Sequence, residues 1–437
     1  MNLYDTYDLD SRTIAINYGG KTKIYRSVKG GLKKLYCNND AYAVLSLLLK
    51  GLSPYTIANM METTDKQQHI LQFIEMLNDN KIIVSREPLD SNFQIRKIDD
   101  NITNILSRIF LCITNACNLK CKHCYNERVQ QPQFMSLELI HSILEQGYKL
   151  GLKQIDITGG ECFLHPDILE ILNLVSNFGM LINVYTNGTL LNSEIIKKLE
   201  NFRIMNLIVS LESLNPKTHD SFRGINGSHK KTMETLKLIK DSSLNLRINI
   251  TAMEDNENEM DNMIDYIYNE LLAESIVIAP ILQTGNGMKS FCLNTNMQKI
   301  CGYQKKIYRV LEQRIQTSKP GSRYKAHCGV GNSMLYIDTD GTVCLCPTLT
   351  QYEKMEFALG NLKSIRLIDA FLSMHNNGFA TKLLCKDVEN CNYADSCRGG
   401  CRSRAFLQNQ SIDDVDDLMC HFYNSLSNEA SGLPTRR

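Results

Sequence analysis

Three cysteines in a C-x3-C-x2-C spacing, Cys117, Cys121 and Cys124, stand in the segment Thr114-Asn115-Ala116-Cys117-Asn118-Leu119-Lys120-Cys121-Lys122-His123-Cys124-Tyr125. Three thiolates on one loop can ligate three irons of a 4Fe-4S cluster and leave the fourth iron open to another ligand, which suits catalysis better than electron storage. A zinc loop is the competing reading, although tetrahedral structural zinc takes four ligands, usually in two separated pairs. Eight further cysteines crowd the carboxyl-terminal part: Cys328, Cys344, Cys346, Cys385, Cys391, Cys397, Cys401 and Cys420. The acidic start, Met1 to Asp10, lacks a basic region followed by an apolar run, so no signal peptide is expected and the cytoplasm is the expected location. There thiols stay reduced, and sixteen cysteines point to metal or iron–sulfur ligation rather than disulfides. Cys112 and Cys162 lie outside the triad; Cys112 is expected in the core of a strand, and Cys162 is expected to be buried beside Glu161.

The elements that must position these thiols follow from periodicity. Strands are expected at about 109–114, 154–158, 181–185, 205–210, 246–251 and 275–280, with helices near 136–150, 166–178, 192–200, 229–240, 257–271 and 297–315. Six such units predict an α/β fold, a partial (β/α)6 barrel of the TIM type with its chemistry on loops at the carboxyl ends of the strands. That puts Cys117, Gly159, Asn187 and Ser210 on one rim. Ahead of the barrel, residues 1–88 predict a winged-helix-like module. Its parts are a hairpin of Thr13–Asn17 with Lys21–Tyr25, then three helices after Asp40, Ser53 and Asp65, then a strand at Lys81–Ser85. Residues 89–105 read as a linker, 106–318 as the barrel, and 319–437 as a cysteine-rich domain opening on a hairpin at Asp340-Gly341. At 437 residues the chain is long enough for several such units, and its formal charge of +1 argues against a general electrostatic grip on nucleic acid. No apolar run reaches the roughly 18 residues of a membrane span, so no membrane partner is expected.

The cysteine spacing followed by Tyr125 resembles the radical S-adenosylmethionine enzymes. Thr158-Gly159-Gly160-Glu161 looks like that family's Gly-Gly-Glu segment, which receives the methionine amino group; glycines permit close backbone approach and a carboxylate pairs with an ammonium. Thr186-Asn187-Gly188 and Ser210-Leu211-Glu212-Ser213 fall where the family contacts methionine and ribose. Arg223, in His219-Asp220-Ser221-Phe222-Arg223-Gly224, resembles the guanidinium that holds the ligand carboxylate. Each of these polar residues also reads as a helix cap or a solvated loop. The resemblance implies cleavage of S-adenosylmethionine to a 5′-deoxyadenosyl radical that abstracts a substrate hydrogen, with electrons from a donor such as flavodoxin or ferredoxin.

The carboxyl-terminal cysteines resemble the SPASM extension of peptide-modifying radical enzymes, which houses two auxiliary 4Fe-4S clusters, three clusters in all. Zinc ribbons remain the alternative. The family's interleaved ligation implies that Cys385, Cys391, Cys397 and Cys420 complete one cluster, with Cys385 replacing the first cysteine of the usual C-x2-C, where Val388 stands. Cys328, Cys346 and Cys401 give three ligands to the other. Either Cys344 is the fourth, or that cluster keeps an open iron able to bind a substrate thiolate. Ile157 to Pro166, Ser210 to Ser228 and the Cys385 to Cys401 spacing look like the subtilosin type of sactipeptide-forming enzyme, and the first 88 residues resemble the RiPP recognition element that binds the leader of a ribosomally made precursor peptide. Strand addition to the hairpin edge with apolar pockets against the third helix would supply that binding. The resemblance therefore implies a maturase that joins a cysteine sulfur to a precursor carbon in bacteriocin biosynthesis. Thioethers at a β- or γ-carbon and carbon–carbon crosslinks share the same motifs. A redox-sensing DNA-binding regulator is the reading from another class, but the third helix carries Asp65, Glu75 and Asp79 against one Lys, a poor surface for phosphates.

Overall fold

Alternating short apolar runs at the amino end form β1 (Tyr7–Leu9), β2 (Thr13–Tyr18), β3 (Lys21–Val28) and β4 (Gly31–Cys37), followed by helices Asn39–Leu49, Pro54–Asn59 and Thr64–Asp79 and by β5 (Ile83–Ser85). The computed structural model describes residues 1–85 apart from 6, 11, 19–20 and 29–30, then 96–97, 104–125, 131–288, 297–314, 328–350, 357–376, 385–397 and 399–429. The expected hairpin is present as β2 and β3. Beyond it, β4 adds antiparallel to β3, a strand whose Gly-Leu-Lys-Lys start hides it from an apolar count. The last strand, β5, pairs with β1 instead of the hairpin, and β6 (Arg96–Lys97), inside the expected linker, runs parallel to β2. The resulting order β4-β3-β2-β6 leaves β4 on an edge. Helix caps also shift from the expectation. Asn38 and Thr63 accept from the amides of Ala41 (3.0 Å) and Lys66 (3.4 Å), so Asp40 and Asp65 lie in the first turn, where their charge complements the helix dipole.

This sheet is covered on both faces. Ala15 and Ile24 pack with Leu45, Leu48, Ile74 and Leu77 of its own helices, while Ile14, Ile16 and Tyr25 pack on Leu181 and Met205 of the barrel. Polar bonds fasten the same contact. Buried Arg203 donates to the carbonyls of Ser176 (3.1 Å) and Thr13, and Asn245 Nδ2 donates to the carbonyl of Val28 (2.8 Å).

The barrel strands are β7 (Arg108–Thr114), β8 (Gln154–Gly159), β9 (Leu181–Thr186), β10 (Ile204–Ser210), β11 (Leu246–Ala252) and β12 (Ser275–Pro280), all parallel. Along β7, Ile109, Leu111 and Ile113 join the main core under helices such as Leu137–Lys149, and Phe110 and Cys112 face the opposite way. The sheet does not end at the barrel. β13 (Met334–Ile337) joins β7 in parallel, and β14 (Thr342–Cys344) and β15 (Ala358–Asn361) follow antiparallel, giving nine strands in one sheet. The β13–β14 connection is the expected hairpin, with Gly341 at φ +91. The cysteine-rich region is thus anchored directly to the strand that precedes the Cys117 loop. Among the described residues no helix is long and apolar enough to cross a membrane.

Candidate functional site

The chain leaving β7 carries Cys117, Cys121 and Cys124, all free thiols with some exposure. Its shape is imposed by the helix Pro216–Arg223. Lys120 N donates to the carbonyl of Arg223 (2.8 Å) and Lys122 N to that of Phe222 (2.9 Å). His123 stacks on Phe222 with ring centroids 4.5 Å apart. Burial, helped by the charge of Arg223, pushes the His123 imidazole down to about 3, so it stays neutral at working pH. Gly224 ends the helix at φ +72, and a Cβ there would meet the carbonyl oxygen of Lys120 at 2.4 Å. On the other side Asn286 N donates to the carbonyl of Cys124 (2.8 Å).

Arg223 is itself buried. One nitrogen lies 3.5 Å from Cys121 Sγ and another donates to Glu212 Oε1 (2.6 Å), whose second oxygen accepts from Thr251 N (2.6 Å). Burial opposes its charge, but Glu212 and Cys121 outweigh that and hold the guanidinium charged, above its ordinary value. The expected ligand-carboxylate clamp is therefore committed to Glu212 on one nitrogen, while its Nε is buried and meets no acceptor among the described residues. That orphan donor beside a thiol fits an anionic ligand group at the site.

The Gly-Gly-Glu segment packs against the cysteine loop. A Cβ on Gly159 would lie 2.4 Å from the carbonyl oxygen of Thr114, and one on Gly160 would lie 2.3 Å from that of Ala116, so both glycines let the end of β8 press against the cysteine loop. The Glu161 carboxylate, 1% exposed, accepts from Thr186 Oγ1 (2.7 Å), Asn187 N (2.7 Å) and Phe163 N (3.2 Å). Its oxygens brace β8 to β9. Burial still holds it above the ordinary carboxyl value despite those donors. Asn187 continues the brace, donating to Asn118 Oδ1 of the cysteine loop (2.9 Å). Ser210 ends β10 opposite Asn249, and Tyr125 is half-buried, its phenol held above its ordinary value by burial. Glu212, Asn118 and Thr186 are functional neighbours that motif reading does not single out by role. Below the rim, Asp156 accepts from Arg108 Nε (3.0 Å), Gln154 Nε2 (2.7 Å) and Asn183 Nδ2 (3.0 Å), a polar floor visible in the sequence only as interruptions of apolar strands. Cys162 is buried as expected and donates to the carbonyl of Tyr185 (3.2 Å).

The carboxyl-terminal cysteines segregate into groups. Cys385, Cys391, Cys397 and Cys420 line one cavity of about 330 Å³ with Gly399 and Asp416. Burial and then Cys397 and Cys385 push Cys420 up to about 11. Cys346 and Cys401 share the Ser403 hydroxyl at 3.8 and 3.1 Å. Burial, with Cys401 and Cys328 adding to it, pushes Cys346 up to about 12. Thiols raised this far stay protonated unless a bound cation draws off the proton. Cys344 packs with Cys112 and Tyr336. Among the described residues no three His, Cys, Asp or Glu side chains converge as the ligands of a single metal ion.

Residues 111–267 match the radical SAM superfamily, and residues 328–402 match the iron-sulfur cluster-binding domain SPASM. The chain thus carries a radical SAM domain followed by a SPASM domain. It is 28% identical over 314 residues to the antilisterial bacteriocin subtilosin biosynthesis protein AlbA of Bacillus subtilis, covering 68% of this chain and 67% of that one. It is also 26% identical over 340 residues to an AdoMet-dependent heme synthase of Methanosarcina barkeri, covering 70% and 93%. The fold is shared with Streptococcus suis SuiB, solved bound to its precursor peptide SuiA, at a TM-score of 0.64 and 14% identity over 95% of this chain and all of that one.

Proposed function

We propose that this chain is a maturase for a ribosomally made peptide and forms an intramolecular thioether of the sactionine type. Cys117, Cys121 and Cys124 would hold the first 4Fe-4S cluster, with Tyr125, Gly159, Gly160, Glu161, Asn187, Ser210 and Arg223 bordering S-adenosylmethionine. When bound, that pair supplies a 5′-deoxyadenosyl radical able to remove a substrate hydrogen. Glu161 and Asn187 act by bracing the loop, and Arg223 Nε is the donor left for the ligand.

The observation that carries the reading is the segregation of the other cysteines. Cys385, Cys391, Cys397 and Cys420 surround one cavity and would complete a four-thiolate cluster. Cys346 and Cys401, which share the Ser403 hydroxyl, would make the other set with Cys328, Cys344 being packed instead against Cys112 and Tyr336. A cluster on three protein thiolates has a position for a substrate cysteine, which places that sulfur beside the barrel. At the other end, edge strand β4 borders a groove of about 290 Å³ lined by Ile24, Leu35, Met76, Ile82, Arg26 and Lys33, a seat for a leader peptide added as a strand. Likeness to the subtilosin protein supports a peptide substrate.

Iron- and sulfide-reconstituted protein is incubated anaerobically with S-adenosylmethionine, a strong reductant and any short cysteine-containing peptide found encoded beside its gene. Mass spectrometry should find 5′-deoxyadenosine and a peptide lacking, for each link, the thiol hydrogen and one carbon hydrogen. Fragmentation then separates an α-carbon thioether from β- or γ-carbon and carbon–carbon links. Cys117→Ala should abolish both products; fully loaded parent that makes no 5′-deoxyadenosine refutes the reading.

A further inference from the structure

Arg402 follows Cys401 directly, opens the helix Arg402–Asn409 and is only 5% exposed. Its Nη1 donates to the carbonyls of Ile412 (3.0 Å) and Asp414 (2.7 Å). The other edge is different: Nε and Nη2 are buried and meet no acceptor among the described residues. Nor does a carboxylate pair with it there, whereas the neighbouring Arg404 is gripped by both oxygens of Asp416 at 2.7 and 2.6 Å. A guanidinium stripped of water on two donors is costly to bury. The free edge calls for an anion that the described polypeptide does not supply.

Gly399 shows where that edge lies. Its φ is +86, and a Cβ built on it would stand 3.2 Å from Arg402 Nη2 and 3.0 Å from Cys385 N. The same Gly399 and Cys385 line the cavity shared by Cys391, Cys397 and Cys420. Gly399 therefore lets the unpaired edge of Arg402 abut the wall of the four-thiol cavity. Four thiolates on a 4Fe-4S core make a net anion in both oxidation states, more negative when reduced.

We propose that Arg402 is the potential-setting cation of the cluster held by Cys385, Cys391, Cys397 and Cys420, its Nε–H and Nη2–H directed at that cluster's sulfur. The proposal rests on the cluster assignment above. A fixed positive charge there stabilises the reduced form over the oxidised one, so the cluster accepts an electron more readily, and no proton need accompany it.

The test uses the full chain carrying Cys117→Ala, Cys121→Ala and Cys124→Ala, so that only carboxyl-terminal clusters report, alone and with Arg402→Gln or Arg402→Lys. Iron and sulfide are counted, and the reduced signal is followed by electron paramagnetic resonance in a dithionite titration. Arg402→Gln is expected to keep its iron and to lower the reduced-to-oxidised ratio at fixed potential about tenfold, a shift of about 59 mV for one electron. Arg402→Lys, which keeps charge without the fork, should fall between. An unchanged midpoint in loaded Arg402→Gln overturns the proposal. Iron loss in both variants with an equal drop in the Tm of the metal-free chain also overturns it, since Arg402 would then serve only the Ile412 and Asp414 carbonyls. A background chain that binds no iron at the four-thiol cavity instead refutes the cluster assignment.

Discussion

Gly160→Ala asks whether the Gly-Gly pair works through packing of the cysteine loop. The added Cβ would lie 2.3 Å from the carbonyl oxygen of Ala116 and 2.8 Å from that of Asn115, both backbone atoms of the loop that carries Cys117. Carbon and oxygen are comfortable at about 3.3 Å, so either the loop or the end of β8 must retreat by roughly 1 Å. That retreat strains the bonds from Gly160 N to Thr114 and from Glu161 N to Ala116, both 2.8 Å. Overpacking of this kind costs about 1–3 kcal/mol, and for a domain of this size the Tm should fall by roughly 2–10 °C. The chemical loss should be larger. A misplacement of about 1 Å at a reacting centre costs on the order of 100-fold, so 5′-deoxyadenosine formation should fall by about that factor. Gly302, inside the helix Met297–Arg314 with nothing within 4 Å of its added Cβ, is the control. Gly302→Ala should keep cleavage and gain up to about 1 kcal/mol. Thermal unfolding of the metal-free chains and anaerobic cleavage assays of the loaded ones decide. Gly160→Ala with parental Tm and cleavage would refute the packing argument.

Burial raises the Glu161 carboxyl, so the folded chain keeps a proton that the unfolded chain releases, and the stability this brings is lost as pH climbs from about 4.5 through the raised value. Glu161→Gln cannot titrate, so the parent's Tm advantage over it should shrink with rising pH; an advantage that widens contradicts the assignment. Glu212→Ala leaves the buried Arg223 without its carboxylate and should cost about 3–5 kcal/mol in urea unfolding. Glu212→Ala with Arg223→Met should cost less than the summed single changes, and strict additivity would show the pair to be uncoupled. Cys420→Ala should lose about four irons per chain, whereas Cys344→Ala should retain the parental content by metal analysis. Equal losses would return Cys344 to the ligand set.

The barrel was legible because each strand is an apolar run bounded by turn residues, and the rim was legible because the thiols follow its first strand. What periodicity hid is instructive. β4 begins Gly-Leu-Lys-Lys, and its membership comes from main-chain pairing with β3, which side-chain pattern does not report. The continuation of the barrel sheet through β13 depends on a contact with β7 more than two hundred residues earlier in the chain, beyond any local signal. At the site, residue type predicted the presence of Glu161 and Arg223 but not their commitments. A buried carboxylate seeks whichever donors the fold supplies, and the ends of β8 and β9 supply Thr186 and Asn187. The cavity shared by Cys385, Cys391, Cys397 and Cys420 and the position of Cys344 needed the fold, Cys344 lying on β14, where it packs with Tyr336 and Cys112.

The two ends of the molecule divide the work. Ile14, Ile16 and Tyr25 rest on Leu181 and Met205, at the amino ends of β9 and β10, whereas Cys117, Glu161 and Glu212 follow the carboxyl ends of β7, β8 and β10. Strands of six or seven residues separate those levels by about 20 Å at roughly 3.3 Å per residue. On the proposed reading, a leader seated on β4 must therefore be joined to the reacting residue by a stretch of at least about six extended residues, and by more if it passes around the barrel wall. Arg203 and Asn245 bond the amino-terminal sheet to the barrel floor, so the fold does not leave that sheet to swing on a tether. The reach must then come from the peptide. Recognition at the edge strand selects which chain is captured, and the length of the spacer, set against a fixed barrel and fixed thiol sets, selects which of its residues can stand at the rim.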